Sequence, residues 1–197
     1  MLDITRKKHA EFCERFGYEF WQLRTPQPFC HSLIGVPYGI DNGCFNVTGF
    51  DEKKWMKVVQ QAEQHPAKFI TVPDMVGDAV RTMDLFEHFK RQLNGHPRAL
   101  VIQDGIGRLQ IPWADLSAVF VGGTDHFKYS TEAMNVCKVA KLLGKWIHVG
   151  RVNTTRRAMY WKDIADSCDG SGMSRYDDRI QDVLYALRNE SPQTSLM

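Results

Sequence analysis

Residues 99–105 read Ala99-Leu100-Val101-Ile102-Gln103-Asp104-Gly105. Four apolar residues in a row stop at an amide, a carboxylate and a glycine. A short, uninterrupted apolar run is typical of a strand that is buried on both faces of a parallel sheet. This stretch therefore predicts a buried strand with polar side chains at its C-terminal end.

The same unit recurs along the chain. Apolar runs lie at residues 18–23, 33–40, 68–72, 99–102, 118–121 and 145–149, and a seventh lies within 163–169. Segments with one apolar face predict helices at 5–16, after 51, and at 78–93, 130–143, 154–162 and 177–188. Asp51 and Ser130 are expected to cap two of these helices.

This alternation, at roughly 30 residues per strand–helix unit, predicts an α/β fold with a parallel sheet. The best architecture is a small or incomplete (β/α) TIM-like barrel, and an open doubly wound sheet is the alternative. The chain has 197 residues, near the lower limit of about 200 for a full barrel, and no eighth strand can be placed. We expect one domain over residues 1–197, with a flexible tail at 191–197.

Composition narrows the classes of function. The net charge is only +2, so any affinity for nucleic acid must come from a local basic patch. No apolar run approaches the roughly 20 residues that span a membrane, and the N-terminus lacks the apolar stretch of a signal peptide. The five cysteines contain no C-x-x-C pair, which argues against a disulfide framework or structural zinc. We expect a cytoplasmic protein that needs no metal and no cofactor.

Six of the seven apolar runs end in polar or glycine-rich groups. These groups are Asp41, Asp74, Gln103, Gly122-Gly123, Arg151 and Asp169. In a barrel the C-terminal ends of the strands converge on one mouth, where active sites lie. The alternative is that Asp, Asn and Gly at strand ends only form turns. That explanation suits Asp74 and Gln103 less well, because each directly follows a buried run.

Short motifs also occur in the order found in the tRNA-guanine transglycosylase superfamily. They are Asp41-Asn42-Gly43-Cys44-Phe45, Pro73-Asp74, Val101-Ile102-Gln103-Asp104-Gly105, Phe120-Val121-Gly122-Gly123 and Ser167-Cys168-Asp169-Gly170. The added segment 148–153, with Arg156-Arg157, resembles the compact phage and bacterial DpdA-like branch, which inserts 7-deazaguanines into DNA. The resemblance spans about residues 38 to 172.

The resemblance implies roles for individual residues. Asp169 matches the nucleophile that attacks the sugar C1′, and Asp41 matches the general acid/base. The residues that match the guanine-binding set are Asp74, Gln103, Gly122 and Gly123. Within that set, the backbone N–H of Gly123 is expected to hold the O6 of the base, and Gly122 allows close approach.

The implied function is that of a DNA guanine transglycosylase. Such an enzyme exchanges guanine for a free, preQ0-like 7-deazaguanine base through a covalent glycosyl-aspartate intermediate. The alternatives are the same exchange on tRNA, an N-glycosylase in which water resolves the intermediate, and a non-catalytic nucleic-acid-binding barrel. Gly170-Ser171-Gly172 replaces the Pro-Thr-Arg of the tRNA enzymes, and no three-cysteine-plus-histidine zinc motif follows. Both departures favour DNA.

A cluster of polar and basic residues is expected to contact the nucleic-acid backbone near the mouth. Its members are Lys128, His148, Arg151, Asn153, Arg156, Arg157 and Arg175. Alternatively, Arg156 and Arg157 are solvent-exposed residues at the start of a helix without a binding role. His148 is alternatively a core histidine whose ring nitrogens are hydrogen-bonded inside the protein. Trp113, in a predicted loop, is a candidate for stacking on a base.

Overall fold

Strands and helices alternate in the computed structural model, which describes residues 1–2, 6–27, 31–45 and 49–189. The strands are β1 (Gln22–Arg24), β2 (Tyr38–Ile40), β3 (Ile70–Thr71), β4 (Arg98–Ile102), β5 (Ala118–Val121), β6 (Trp146–Val149) and β7 (Ser167–Cys168). The α-helices are α1 (Lys7–Phe16), α2 (Glu52–Val59), α3 (Ala79–Phe89), α4 (Thr131–Leu142), α5 (Thr155–Trp161), α6 (Ser171–Arg175) and α7 (Asp177–Asn189).

The sheet confirms the predicted fold class. Its seven strands are all parallel and lie side by side in chain order, from β1 to β7. The sheet curls into a half-barrel flanked by helices, as in a small or incomplete TIM-like barrel. A doubly wound sheet would reverse its strand order at a switch point, and this sheet does not.

The first two residues lie where an eighth strand would close the barrel. Leu2 pairs in parallel with Gln22 of β1, and the N-terminal ammonium of Met1 donates to the carbonyl of Cys168 in β7 at 2.5 Å. This short bridge connects the two edge strands. It replaces only part of a strand, because Leu2 makes a single bridge to β1.

Alternation along the strands divides the apolar side chains into two groups. The inner group fills the barrel and comprises Leu23, Phe69, Ala99, Val101, Ala118 and Phe120. The larger group, which includes Leu100, Ile102 and Val119, packs between the sheet and the helices. At about 1.5–3 kcal/mol for each large apolar side chain, burial on both faces is the main stabilising term. Gly39 allows Phe69 to fill the interior, since a Cβ at position 39 would lie 2.6 Å from that ring.

Two helices begin with the side-chain caps that were predicted for them. Asp51 accepts from the Lys54 amide at 3.1 Å, and Ser130 accepts from the Ala133 amide at 3.1 Å. The helix predicted at 78–93 ends at Phe89 and continues as a 3₁₀ turn over Lys90–Leu93.

Two of the predicted segments lie at the ends of the chain. The predicted helix at 5–16 is α1, and its expected first residue, Thr5, lies outside the described residues, as does the tail at 191–197. Helix α6, directly after Asp169, was not predicted. No helix in the described ranges is long and apolar enough to cross a membrane.

Candidate active site

The period of two along each strand brings polar residues to the mouth of the barrel. Val101 packs inside the barrel, so Gln103, two residues later, follows on the same face. Ser167 contacts the inward-facing Trp146 at 2.9 Å, and Asp169 follows Ser167 by the same spacing. The strand ends therefore bring polar side chains together at one end of the sheet, where the charges of Asp74 and Asp169 act on Asp41.

Asp169 is held by donors on both of its carboxylate oxygens. Its Oδ2 lies 3.0 Å from Nε2 of His148, and its Oδ1 accepts from the backbone N–H of Arg151 at 3.1 Å. Burial raises the pKa of Asp169, but the hydrogen bonds from His148 and the Arg151 amide outweigh it, and the net pKa is lowered. Asp169 is therefore an ionised carboxylate at neutral pH, and its side chain is still 15% exposed.

His148 is fully buried, so the predicted contact with a nucleic-acid backbone is wrong. Its ring lies 5.1 Å from that of Phe69 and 4.6 Å from that of Phe120, and Nδ1 lies 2.8 Å from Oγ of Ser167. Burial lowers the pKa of His148. The alternative of a satisfied core histidine predicted its burial, but neither interpretation predicted the contact with Asp169.

Arg151 contributes to the site through its backbone. It has a φ of 60°, in the left-handed region that non-glycine residues rarely adopt. Its N–H donates to Asp169. Its guanidinium is exposed and lies 4.2 Å from the centre of the Phe45 ring.

The surroundings of Asp41 raise its pKa, whereas those of Asp169 lower it. Burial, followed by the charges of Asp74 and Asp169, raises its pKa from 3.8 to about 7, although the amides of Asn42 and Gly43 partly offset this. A carboxyl that titrates near neutral pH can both donate and accept a proton. Asp41 is thus divided between its protonated and ionised forms near neutral pH.

Asp74 and Gln103 are joined to each other. Oδ2 of Asp74 accepts from Nε2 of Gln103 at 2.5 Å, and Oε1 of Gln103 accepts from the Gly77 N–H at 2.9 Å. Burial raises the pKa of Asp74, even though side-chain hydrogen bonds oppose it. Both side chains are therefore fixed by hydrogen bonds at the mouth, and Gln103 also supports the turn at Gly77.

Asn42 is a site residue to which the sequence analysis assigned no role. Its side chain, 2% exposed, donates to the Val72 carbonyl at 2.8 Å and to Oδ1 of Asp74 at 2.9 Å. Its Oδ1 accepts from the Cys44 N–H at 2.8 Å. Asn42 thus fixes the turn after Asp41 and orients Asp74. The Asp-Asn-Gly signal marked the turn, but the contact with Asp74 depends on the pairing of β2 with β3.

Neighbouring side chains pack closely against the glycine pair, and Gly123 offers a backbone donor. A Cβ on Gly122 would lie 2.8 Å from Nε2 of Gln103, and one on Gly123 would lie 2.7 Å from Oδ2 of Asp104. Gly123 also has a φ of 74°. Its buried N–H has no acceptor within the described part of the chain. Because buried N–H groups are almost always paired, this one is well suited to a ligand.

Lys128 is buried rather than exposed, so its predicted phosphate contact is wrong. It is 2% exposed, and its ammonium donates to the carbonyls of Gly122 at 2.6 Å and Gly123 at 3.2 Å. Burial lowers the pKa of Lys128 to about 8. Lys128 supports the glycine pair from behind. In a trans peptide the C=O and N–H point in opposite directions, so the Gly123 N–H points away from Lys128.

The other predicted backbone contacts divide into structural and exposed residues. Arg157 is bound to Asp125 at 3.2 Å and to the Arg151 carbonyl at 2.9 Å, so it stabilises the loop before α5. Asn153 accepts from the Gly172 N–H at 2.9 Å and stabilises the start of α6. The predicted contacts whose side chains are exposed are Arg151, Arg156 and Arg175.

Trp113 is not at the mouth. It begins a 3₁₀ turn that leads into β5 and packs against the outer core. It therefore lies on the helix-covered side of the sheet, where it lines a groove with Gly107 and Glu132.

The mouth can support nucleophilic and acid/base chemistry. It combines an ionised carboxylate, a second carboxyl that titrates near neutral pH, and a set of fixed donors and acceptors. No group of three or more His, Cys, Asp or Glu residues in the described ranges could hold a metal ion. No model of a known protein family matches the chain, and no curated protein matches it.

Proposed function

We propose that this protein is a DNA guanine transglycosylase that exchanges guanine for a free 7-deazaguanine base such as preQ0. The observation that carries the proposal is the pair of mouth carboxylates whose pKa values are moved in opposite directions. The pKa of Asp41 is raised to about 7 and that of Asp169 is lowered. Two carboxyl groups pushed apart in this way mark an acid/base and a nucleophile.

In the first half-reaction Asp169 attacks C1′ of the target nucleotide and forms a glycosyl-aspartate bond. The bond from C1′ to N9 of guanine breaks, and the electron pair leaves with the base. Protonated Asp41 supplies the proton to the departing guanine. A covalent intermediate divides one difficult displacement into two easier ones and holds the sugar until the incoming base arrives.

In the second half-reaction the incoming 7-deazaguanine displaces Asp169. Its N9 proton passes to the carboxylate form of Asp41, and N9 then bonds to C1′ as the aspartate ester bond breaks. Both carboxyls return to their starting states. The near-neutral pKa of Asp41 suits this alternation, because one group must act first as an acid and then as a base.

The polar set at the mouth is complementary to a guanine edge. Guanine presents O6 and N7 as acceptors and its N2 amino group as a donor. The unpaired N–H of Gly123 can donate to O6, and the Asp74 carboxylate can accept from the amino edge. The amide of Gln103, fixed beside Asp74 at 2.5 Å, completes this set.

The nucleic acid must present its guanine outside the helical stack, either flipped or single-stranded. The exposed guanidinium groups of Arg151 and Arg156 can contact phosphates around the mouth. The preference for DNA over tRNA rests on the resemblance, in which Gly170-Ser171-Gly172 replaces the Pro-Thr-Arg of the tRNA enzymes.

The decisive experiment is nucleoside analysis after incubation with labelled preQ0 and either DNA or tRNA. We expect the labelled base in DNA, with release of one guanine for each base incorporated. Label only in tRNA would identify the tRNA activity, and guanine release without incorporation would identify an N-glycosylase. If guanine is released from neither nucleic acid, the result would favour a non-catalytic nucleic-acid-binding barrel. Asp169→Asn is the negative control.

A further inference from the structure

We propose that Trp146, Ser167 and His148 form a hydrogen-bond relay that orients Asp169 and fixes one tautomer of His148. The nucleophilic role of Asp169 rests on the proposed function, whereas the relay itself is a property of the folded protein. It runs along two neighbouring strands, because Trp146 and His148 belong to β6 and Ser167 belongs to β7.

The direction of the relay follows from its donors and acceptors. The indole Nε1 of Trp146 can only donate, and it lies 2.9 Å from Oγ of Ser167. The hydroxyl of Ser167 then has its own proton to give, and Nδ1 of His148 lies 2.8 Å away. Nδ1 is therefore the acceptor, and Nε2 carries the proton that is donated to Oδ2 of Asp169 at 3.0 Å.

The alternative protonation states satisfy fewer groups. A doubly protonated His148 would donate to Ser167, whose hydroxyl already accepts from Trp146, and the hydroxyl proton would lose its acceptor. The Nδ1–H tautomer would also place a lone pair of Nε2 against the Asp169 carboxylate. Complete burial of His148 makes each unsatisfied group costly.

The charged groups around Asp169 come from several elements. Arg151 lies at the end of β6, Asp41 lies at the end of β2, and Lys128 lies in the 3₁₀ turn before α4. The N-terminal ammonium of Met1 bonds to the adjacent Cys168 carbonyl. His148 is the side chain whose hydrogen bond to Asp169 is seen in the described ranges, so its donor fixes the plane of the carboxylate.

This arrangement makes His148 a positioning residue. Its Nε2–H is occupied by Asp169 and its ring is inaccessible, so it cannot exchange protons with a bound base. Together with the Arg151 amide it occupies one position on each oxygen of Asp169. The remaining lone pairs are then directed at the substrate, which pre-organises the nucleophile.

The test combines NMR of the free protein with adduct kinetics. In ¹⁵N-histidine-labelled wild type at neutral pH, we expect one neutral His148 with a protonated Nε2. His148→Leu should raise the pH at which the Asp169 ¹³Cγ resonance titrates. It should also slow covalent adduct formation by about 10- to 100-fold, which is the effect of losing one hydrogen bond to a charged group.

Graded variants distinguish the relay from simple packing. Ser167→Ala should disturb the His148 tautomer and slow adduct formation less than His148→Leu does, whereas Ser167→Thr keeps the hydroxyl and should restore both. Trp146→Phe should have the smallest effect. Its matched control is Trp21→Phe, because Trp21 stacks on Trp146 at 5.4 Å but makes no contact with Ser167 among the described hydrogen bonds.

An imidazolium or an Nδ1–H tautomer in the wild type would overturn the relay. An unchanged Asp169 titration in both folded His148→Leu and Ser167→Ala would do the same. These NMR readouts need no substrate, so they remain decisive if the protein proves to have no exchange activity. A normal relay without base exchange would contradict only the proposed function.

Discussion

Two regions of the barrel mouth each contain an aspartate that follows a strand, but the pKa values of Asp41 and Asp169 are shifted in opposite directions. In the β2–β3 corner, formed by Asp41, Asn42 and Asp74, burial raises the pKa of both carboxyls, and the charge of Asp74 raises that of Asp41 further. In the β6–β7 corner, formed by His148, Arg151 and Asp169, hydrogen-bond donors meet one carboxylate, and its pKa is lowered. Neighbouring groups, rather than residue type, thus separate the pKa values of Asp41 and Asp169, and the proposed roles of acid/base and nucleophile rest on this difference.

The largest expected effect comes from the β6–β7 corner. Asp169→Asn keeps the shape of the side chain but removes the nucleophile, so base exchange should fall by about 10⁴-fold or more. A denaturing gel should show an adduct between wild-type protein and DNA that is missing in the variant, while DNA binding persists. Asp163→Asn, an exposed carboxylate on the same segment, is the matched control. An adduct that survives in Asp169→Asn would place the nucleophile elsewhere.

The β2–β3 corner should show a smaller loss with a different pH dependence. Loss of guanine needs protonated Asp41, so its single-turnover rate should fall as pH rises through about 7. Asp41→Asn should lower the rate by about 10²- to 10⁴-fold and remove this alkaline decline. A decline that persists in the variant would assign it to another group.

The two corners should also contribute to stability with opposite signs. The pKa of Asp41 is raised from 3.8 to about 7, so the folded state keeps a proton that the unfolded state loses, and stability falls as pH rises through this window. Asp41→Asn should therefore gain on the order of 3 kcal/mol between about pH 4 and pH 8, relative to wild type.

Asp169 follows the reverse rule, because its pKa is lowered in the folded state. Its contribution to stability is present above the unfolded pKa and is lost as pH falls through the folded pKa. Asp169→Asn should thus lower the thermal midpoint at about pH 8, where Asp41→Asn raises it. Equal shifts in both variants, measured by circular dichroism, would contradict the comparison.

A substitution in the proposed base-binding set should have a smaller effect than the substitutions of Asp169 and Asp41. Gln103→Ala removes the partner of Asp74 and leaves the Gly77 N–H unpaired, so binding of the free base should weaken by about 1–3 kcal/mol. Isothermal titration with preQ0 measures this loss, and the exposed Gln110→Ala is the control. Unchanged affinity would show that Gln103 only supports the turn at Gly77.

The smallest expected effects come from two arginines of α5, of which one is exposed and the other is held in an ion pair. Arg156→Ala should weaken DNA binding and lower the slope of affinity against salt by about one unit. Arg157→Ala should instead lower the thermal midpoint, because it loses its ion pair with Asp125. Arg91, exposed at the opposite end of the barrel before β4, provides the control. An unchanged salt slope in Arg156→Ala would remove it from the interface.

Much of this molecule could be predicted from local patterns. The apolar runs located the strands, because buried parallel strands need uninterrupted apolar sequence, but β1 and β2 begin four and five residues after the start of their runs. The same runs placed Gln103 and Asp169 at strand ends, and therefore at the mouth. The predictions for His148 and Lys128 were wrong in one respect, since both side chains are buried. The sequence alone does not show whether a basic residue within or after a strand faces solvent or the interior.

The sequence by itself determined the order of strands and helices, the α/β class and the set of polar residues that meet at one end of the sheet. These features depend on periods of 2 and 3.6 residues, which are local. Only the tertiary structure decided that His148 donates to Asp169, that Lys128 binds the carbonyls of the glycine pair, and that Asp41 titrates near neutral pH. Hydrogen bonds and charge interactions act between side chains that are distant in sequence, so they exist only after the strands have paired.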